Sequence, residues 1–201
     1  MTEPEREVEV KLIGMDAEAF EQEILARGAV FDVEENQTNI HLDSSAHPLP
    51  ASAHMRIRLI EVEGKIVARE WTYKKRLATE DCRVNEEYTV HIEDEQALRL
   101  LLLQLGYDQQ IPMHKIRRRY LFEDYRIEFD QWDEQSFPFP YIEVEAPSPA
   151  RLHAFYAAFS IPEEKVSTLS ISELKEAWHR GTLTLPLDDN KDLKASGKTN
   201  R

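Results

Sequence analysis

The chain has 201 residues, 41% hydrophobic and 31% charged, which suits one buried core and a globular domain and does not suit a disordered polymer. Its 38 acidic residues against 25 basic give a formal charge of −13, which argues against nucleic acid or an anionic membrane as partner; an anion can be held only where bases gather locally. The longest apolar run, Leu100–Leu103, is far too short to span a bilayer, no signal-peptide pattern opens the chain, and Cys82 is the only cysteine, so a reducing cytoplasm is the expected location.

Residues 7–13 read as a first strand, with charge on every second residue: Glu7, Glu9 and Lys11, separated by Val8 and Val10. Asp16 is placed to cap a helix through Phe20, Ile24 and Leu25 that Gly28 stops. Residues 29–42 read as extended, 43–53 as a loop, and 55–62 and 66–75 as strands around a turn at 63–65. After a polar connector at 78–82 come a strand at 86–92 and a helix at 95–105 stopped by Gly106. Strands at 114–122, 125–132 and 141–146, a helix from Pro149 to Phe159 and a last helix at 172–179 capped by Ser172 complete the pattern. The β-α-β-β order occurs twice, residues 5–180 read as one domain, and 188–201 as a polar, frayed tail.

Strand register follows from turn length. A two-residue turn at Glu123-Asp124 sets Arg119 against Glu128 and Arg117 against Asp130 on one side of the sheet. The earlier hairpin needs a three-residue turn to set Arg58 against Glu70 and keep Lys74 off the apolar face.

The same charged rhythm recurs at Arg56/Arg58, Glu70/Thr72/Lys74, Glu87/Thr89, Lys115/Arg117/Arg119, Arg126/Glu128/Asp130 and Glu143/Glu145. A solvated face of an antiparallel sheet would explain any one row. A solvated face does not require acids to concentrate in the first and last strands and bases in the middle ones; a ligand site does. Arginine grips phosphate oxygens bidentately, and carboxylates hold hard divalent cations together with the phosphates of a substrate. Closing such a sheet into a barrel would make the charged face a lumen.

Glu7-x-Glu9-x-Lys11, Met55-Arg56-Ile57-Arg58, Thr72-Tyr73-Lys74, Lys115-Ile116-Arg117 and Ile142-Glu143-Val144-Glu145, in that order, resemble the signature of the CYTH superfamily over about residues 5–175. That superfamily includes class IV adenylyl cyclases, thiamine triphosphatases and inorganic triphosphatases. The resemblance implies an α+β fold: an eight-stranded antiparallel β-barrel, closed or nearly closed, braced by helices. By the same resemblance Lys11, Arg56, Arg58, Lys74, Lys115, Arg117 and Arg119 would bind phosphates, and Glu7, Glu9, Asp130, Glu143 and Glu145 would hold Mg²⁺ or Mn²⁺. Glu87 and Lys74 would take catalytic roles. The implied partner is a small-molecule triphosphate; a homodimer is compatible with the family.

Some positions depart from the pattern. Asn85 stands where a Glu is usual, Asn39 and His41 replace Asp and Tyr, Lys75-Arg76 replaces Gly-Pro, and Phe137-Pro138-Phe139-Pro140 replaces a glycine turn. His47 and His54 are expected to be solvated loop residues, Cys82 an incidental thiol, and Phe155, Tyr156 and Phe159 packing residues. No glycine-rich phosphate loop is present. Three functions follow in order: a metal-dependent triphosphatase, an adenylyl cyclase on the same scaffold, and a non-catalytic polyphosphate-binding module. A structural domain with a solvated charged face is the bland alternative.

Overall fold

Valine, isoleucine and phenylalanine at alternate positions give each strand one apolar side, and in the computed structural model these sides point outward, some packed under helices and others, such as Ile116, left exposed. The structure describes residues 4–77 and 82–183. The expected connector at 78–82, apart from Cys82, and the expected tail at 188–201 lie outside the described residues.

The strands are β1 (Glu5–Ile13), β2 (Val30–Asp43), β3 (Ala53–Val62), β4 (Lys65–Leu77), β5 (Arg83–His91), β6 (Gln109–Phe122), β7 (Tyr125–Trp132), β8 (Tyr141–Glu145) and the short β9 (Val166–Ser167). The helices are α1 (Ala17–Ala26), α2 (Glu95–Gln104), α3 (Pro149–Ala158) and α4 (Ile171–His179). Eight strands close a ring in the order β1, β5, β4, β3, β2, β6, β7, β8, every neighbour antiparallel, and β9 adds to β1 beside Lys11 and Leu12. The expected barrel is therefore fully closed. The doubled order is also real: exchanging β1–β4 with β5–β8 maps the ring onto itself, so the barrel has a pseudo-two-fold topology.

Turn chemistry sets the register. Arg119 faces Glu128 and Arg117 faces Asp130 across the Glu123-Asp124 turn, as expected, with Glu123 at φ 53°. In the earlier hairpin Arg58 does face Glu70 and Arg56 faces Thr72, but for a different reason. The turn is the two-residue Glu63-Gly64, with φ 50° and 75°, and a β-bulge at Val67 supplies the odd residue. Glycine fits the second position because its φ is left-handed.

Each helix lies where an apolar strip of the barrel needs covering. Phe20 and Ile24 of α1 and Leu152 and Phe155 of α3 pack on Val8, Val10, Ile127, Phe129, Ile142 and Val144. Leu98 and Leu102 of α2 cover Ile40, Met55 and Ile57. Leu174 of α4 joins Ile13, Trp132, Phe137 and Tyr141 at one end of the barrel. Each such fully buried side chain contributes about 2 kcal/mol, so the apolar exterior holds the barrel together around a costly charged interior.

Asp16, Asp94 and Ser148 cap their helices through Ala19, Ala97 and Arg151 backbone amides. The cap of α4 is Ser170, not Ser172: Ser170 and Glu173 form a capping box, which lengthens the helix by one residue at its start. Strands β5 and β6 begin earlier than expected, at Arg83 and Gln109, because each extends its pairing with a neighbour beyond its charged stretch. Val90, on the apolar side of β5, is 51% exposed.

Candidate active site

The inward faces enclose a cavity of about 970 Å³. Every site residue named from the sequence lines it except Asp130. Glu7, Glu9 and Lys11 come from β1, Arg56 and Arg58 from β3, Lys74 from β4, Glu87 from β5, Lys115, Arg117 and Arg119 from β6, and Glu143 and Glu145 from β8. Strands β3 and β8 stand four places apart in the eight-strand ring, so the arginine pair faces Glu143 and Glu145 across the lumen.

Glu7, Glu9, Glu143 and Glu145 form one cluster in which a carboxylate oxygen from each lies within 4.8 Å of the others. Their protonation is uneven. Glu7 accepts from Lys74 Nζ at 2.7 Å and Asn85 Nδ2 at 2.8 Å; burial opposes its ionisation, but Lys74 overcomes this and the carboxyl falls to about 2. Burial likewise opposes Glu143, and Lys11, Arg117 and Lys115 together hold it well below the usual range. Burial and the neighbouring Glu143 raise Glu9 to about 7. Burial, Glu128 and Glu7 raise Glu145 to about 9, although Arg126 touches it. The Arg126 side chain is 42% exposed, so water screens its help, whereas Glu128 is buried. Four crowded oxygen donors, two of them with raised carboxyl values, match the needs of a hard divalent cation, which would let all four ionise.

Around this cluster the cations differ in how far they are already neutralised. Lys11 lies 3.3 Å from Glu143 and 3.7 Å from Glu9. Lys74 bridges Glu7 at 2.7 Å and Glu87 at 2.8 Å; burial works against its charge, but Glu7 and Glu9 reverse this and raise its pKa. Arg119 is held by Glu35 and Glu128 at 3.0 Å and Asp32 at 3.5 Å, so its charge is largely matched. Among the described residues Arg56 reaches one carboxylate, Glu87 at 4.0 Å, and its buried Nε has no hydrogen-bond partner. Arg58 has no carboxylate within 4 Å among the described residues, Glu70 and Glu128 acting on it only from farther away; its Nε donates to Asn39 Oδ1 at 2.9 Å. Burial, then Arg56 and Arg117, pulls Arg58 down to about 10, so this site is short of an anion.

Asp130, expected with the metal-binding acids, shares the inward side of β7 with Glu128 but is buried among Lys115, Arg117 and Tyr141 and does not line the cavity. It accepts from Lys115 Nζ, Arg117 Nε and Arg117 Nη2, each at 2.7 Å, and from the Tyr141 hydroxyl at 2.9 Å. Those bonds occupy both its oxygens, and their effect is to fix the two bases. Lys115 is nonetheless lowered to about 7 by burial and the adjacent Arg117.

Several contributing residues were given no site role from the sequence. Glu128, set against Arg119 by register and 1% exposed, meets Arg117 and Arg126 as well. Arg83 lies 3.3 Å from Glu9 and 3.7 Å from Glu173 of α4, which also meets Arg76 at 3.4 Å. Placing the start of β5 at Arg83 would have put it in phase with Asn85 and Glu87. His54 is not a solvated loop residue: it is the second residue of β3, half-buried, and its Nε2 lies 3.1 Å from Nδ1 of His41. Its phase with Arg56 and Arg58 was the available signal.

The sequence profile of the CYTH domain matches residues 5–165. No curated protein matches. Among solved structures, the PH1819 protein of Pyrococcus horikoshii OT3 aligns at TM-score 0.71 and 23% identity, over 86% of this chain and 99% of that one. The PH1012 protein of the same organism aligns at 0.69 and 21%, over 83% and 98%. HpAC1 of Hippeastrum, a proposed adenylyl cyclase with a dominant triphosphatase activity, aligns at 0.59 and 20%, over 90% and 99%. At these identities the likeness is one of fold. Among the described residues no helix is long and apolar enough to cross a membrane.

Proposed function

The chain belongs to the CYTH domain family, and on that premise we propose that it is a metal-dependent hydrolase of triphosphate-containing molecules: inorganic tripolyphosphate, thiamine triphosphate or a nucleoside triphosphate. The observation that carries this reading is the pairing of a four-carboxylate cluster with an arginine that lacks a carboxylate partner, on opposite walls of one enclosed lumen. A solvated charged face would leave its arginines in water, where such a shortage of anions costs nothing. A linear polyanion carrying a divalent cation satisfies both walls at once.

Glu7, Glu9, Glu143 and Glu145 would hold Mg²⁺ or Mn²⁺, which when bound supplies Lewis-acid neutralisation of phosphate oxygens. Arg56 and Arg58 grip the phosphates from the opposite wall, and Lys11, Lys115 and Arg117 from the acidic side, with Arg119 at the rim of the same row. Arg117 and Lys115 reach the chain pre-aimed by Asp130. Charge that spreads over the transferring phosphoryl oxygens is met by fixed cations, which need no reorganisation as it develops. Glu87, held ionised by Lys74 and Arg56 against the effect of burial, accepts a proton of the attacking water and orients it, while Lys74 steadies the leaving oxygen. The domain is taken as residues 5–180 and its setting as the cytoplasm.

An adenylyl cyclase would share the phosphate grip but direct a ribose hydroxyl at the α-phosphorus. One panel separates the two. Tripolyphosphate, thiamine triphosphate, ATP and GTP are incubated with each metal, and phosphate, pyrophosphate and cyclic AMP are quantified. Metal-dependent phosphate release supports hydrolysis; cyclic AMP with pyrophosphate would replace the reading, and tight binding with no turnover would reduce it to a binding module.

A further inference from the structure

His41 on β2 and His54 on β3 meet inside the cavity, at the end where β3 begins and where α4 contacts Arg76 and Arg83. Their contact is a single hydrogen bond between His54 Nε2 and His41 Nδ1 at 3.1 Å, with the rings edge to face at 4.5 Å. The two outer nitrogens, His41 Nε2 and His54 Nδ1, have no partner among the described residues.

A neutral imidazole carries one N–H and one lone pair. If His54 donates to His41, then His41 Nε2 carries the free N–H and His54 Nδ1 the free lone pair; if the bond runs the other way, the two ends exchange. In either arrangement the neutral pair offers the lumen one donor and one acceptor. A single added proton turns it into a pair with two outward donors and one positive charge.

The surroundings keep that proton off until an anion arrives. Arg56 and Arg58 of β3, Lys74 of β4 and Arg83 of β5 all bear on the pair. The nearby acids, Glu87 of β5, Glu7 of β1 and Glu173 of α4, are engaged with Lys74, Arg56, Arg76 and Arg83. Strand β6 presents Ile111 opposite His41 and Met113 opposite Asn39. Burial, then Arg56 and Arg58, lowers His41 to about 4, and burial, then His41 and Arg56, holds His54 well below its ordinary value. Beside the pair two further buried donors lack partners among the described residues: Nδ2 of the fully buried Asn39, and Arg56 Nε.

Given the triphosphate reading, on which this rests, we propose that His41 and His54, with Asn39 and Arg56, form a subsite for a terminal unesterified phosphate, and that its arrival brings one proton from solvent onto the histidine pair. The proton adds to the free ring lone pair, and no other bond is made or broken. The phosphate's negative charge offsets Arg56 and Lys74 and removes the repulsion that kept the pair neutral, while both outer nitrogens become donors to its oxygens.

Tripolyphosphate in EDTA, with no divalent metal, is the probe. Ring nitrogens of ¹⁵N-histidine-labelled protein are followed by NMR at pH 7.5, and signals are assigned by their loss in His41→Gln and His54→Gln. Calorimetry in buffers of different ionisation enthalpy counts protons. Saturation should move the pair to the imidazolium pattern. Either variant should take up one proton fewer than wild type and bind about tenfold to a hundredfold more weakly. Rings that stay neutral at saturation overturn the inference even if the variants bind poorly, as do variants with wild-type affinity and proton uptake. Absence of any binding to wild type would instead overturn the triphosphate reading beneath it.

Discussion

Replacing Glu145 by glutamine should stabilise the metal-free protein. Burial, Glu128 and Glu7 raise this carboxyl from 4.5 to about 9, and its side chain is only 12% exposed. A carboxyl raised on folding contributes stability that is complete below its unfolded value and is lost as pH climbs through the folded one. At pH 7.5 the folded protein must keep a proton that the unfolded chain has released at about 4.5. Three pH units at 1.36 kcal/mol each put that cost at about 4 kcal/mol, and the figure holds as long as the folded value stays above 7.5. Glutamine keeps the shape and never ionises, so the variant avoids the cost. For a domain of this size the gain corresponds to a melting temperature about 8 °C higher or more at pH 7.5 in EDTA. At pH 4.5 the gain should vanish. Mg²⁺ or Mn²⁺ should close or reverse the gap, because the cation removes the repulsion in wild type and finds one ligand fewer in the variant. Thermal unfolding at both pH values, with and without metal, decides the matter. A gain that is absent at pH 7.5, or the same at pH 4.5, would refute the idea that this cluster is strained when empty.

Three further outcomes follow from the same geometry. Arg58→Ala should lower the hydrolytic kcat by about 10²- to 10³-fold without lowering the melting temperature, since Arg58 lacks a carboxylate partner; an unchanged rate would remove it from the phosphate grip. Glu143→Gln should raise the metal concentration for half-maximal activity at least about tenfold, measured by titrating Mn²⁺, with a smaller effect on the saturated rate. Asp130→Asn leaves Lys115 and Arg117 buried without their counter-charge and should cost about 3–5 kcal/mol in urea unfolding; a loss under 1 kcal/mol would show that Glu128 and Glu143 suffice to hold Arg117.

The lumen was legible because strand geometry is local. Once Val8 and Val10 face the helices, Glu7, Glu9 and Lys11 must face the other way, and the same parity fixes Arg56/Arg58 and Glu143/Glu145. Barrel closure was reached through family resemblance, because nothing within β1 states that it pairs with both β5 and β8. The Glu63-Gly64 hairpin marks the limit of local reasoning. Parity demanded one extra residue, and chain stereochemistry allowed it in the turn or in a bulge; the left-handed φ of Gly64 and the bulge at Val67 show which was used. What sequence could not give is the order of charge pairing. Asp130 is in phase with Glu128 on the inward side, yet neighbouring Lys115, Arg117 and Tyr141 take both its oxygens. His54 was assigned to a loop because the strand was started at residue 55, two residues after β3 begins.

The pseudo-two-fold topology gives the departure at Asn85 a physical meaning. Exchanging the halves superposes β1 on β5, and Glu7 pairs with Asn85 where those two strands meet. The scaffold thus offers β5 the same row of inward positions that carries the acids of β1, and Asn85 occupies one of them. Its Nδ2 lies 2.8 Å from Glu7 Oε2 and 3.3 Å from Glu9 Oε1, so the amide donates to the two carboxylates and relieves their repulsion. A glutamate there would add a fifth carboxylate to the cluster's edge, opposite Arg76 and beside Arg83, which Glu173 and Glu9 already engage. Asn85→Glu should therefore lose both hydrogen bonds to charged acceptors and cost about 3 kcal/mol or more in EDTA. Divalent metal should recover more stability in the variant than in wild type, and metal titration should reveal a second binding event. Equal stability of the two proteins in EDTA would mean that the amide does not hold the acids together, and the single cluster would need another explanation.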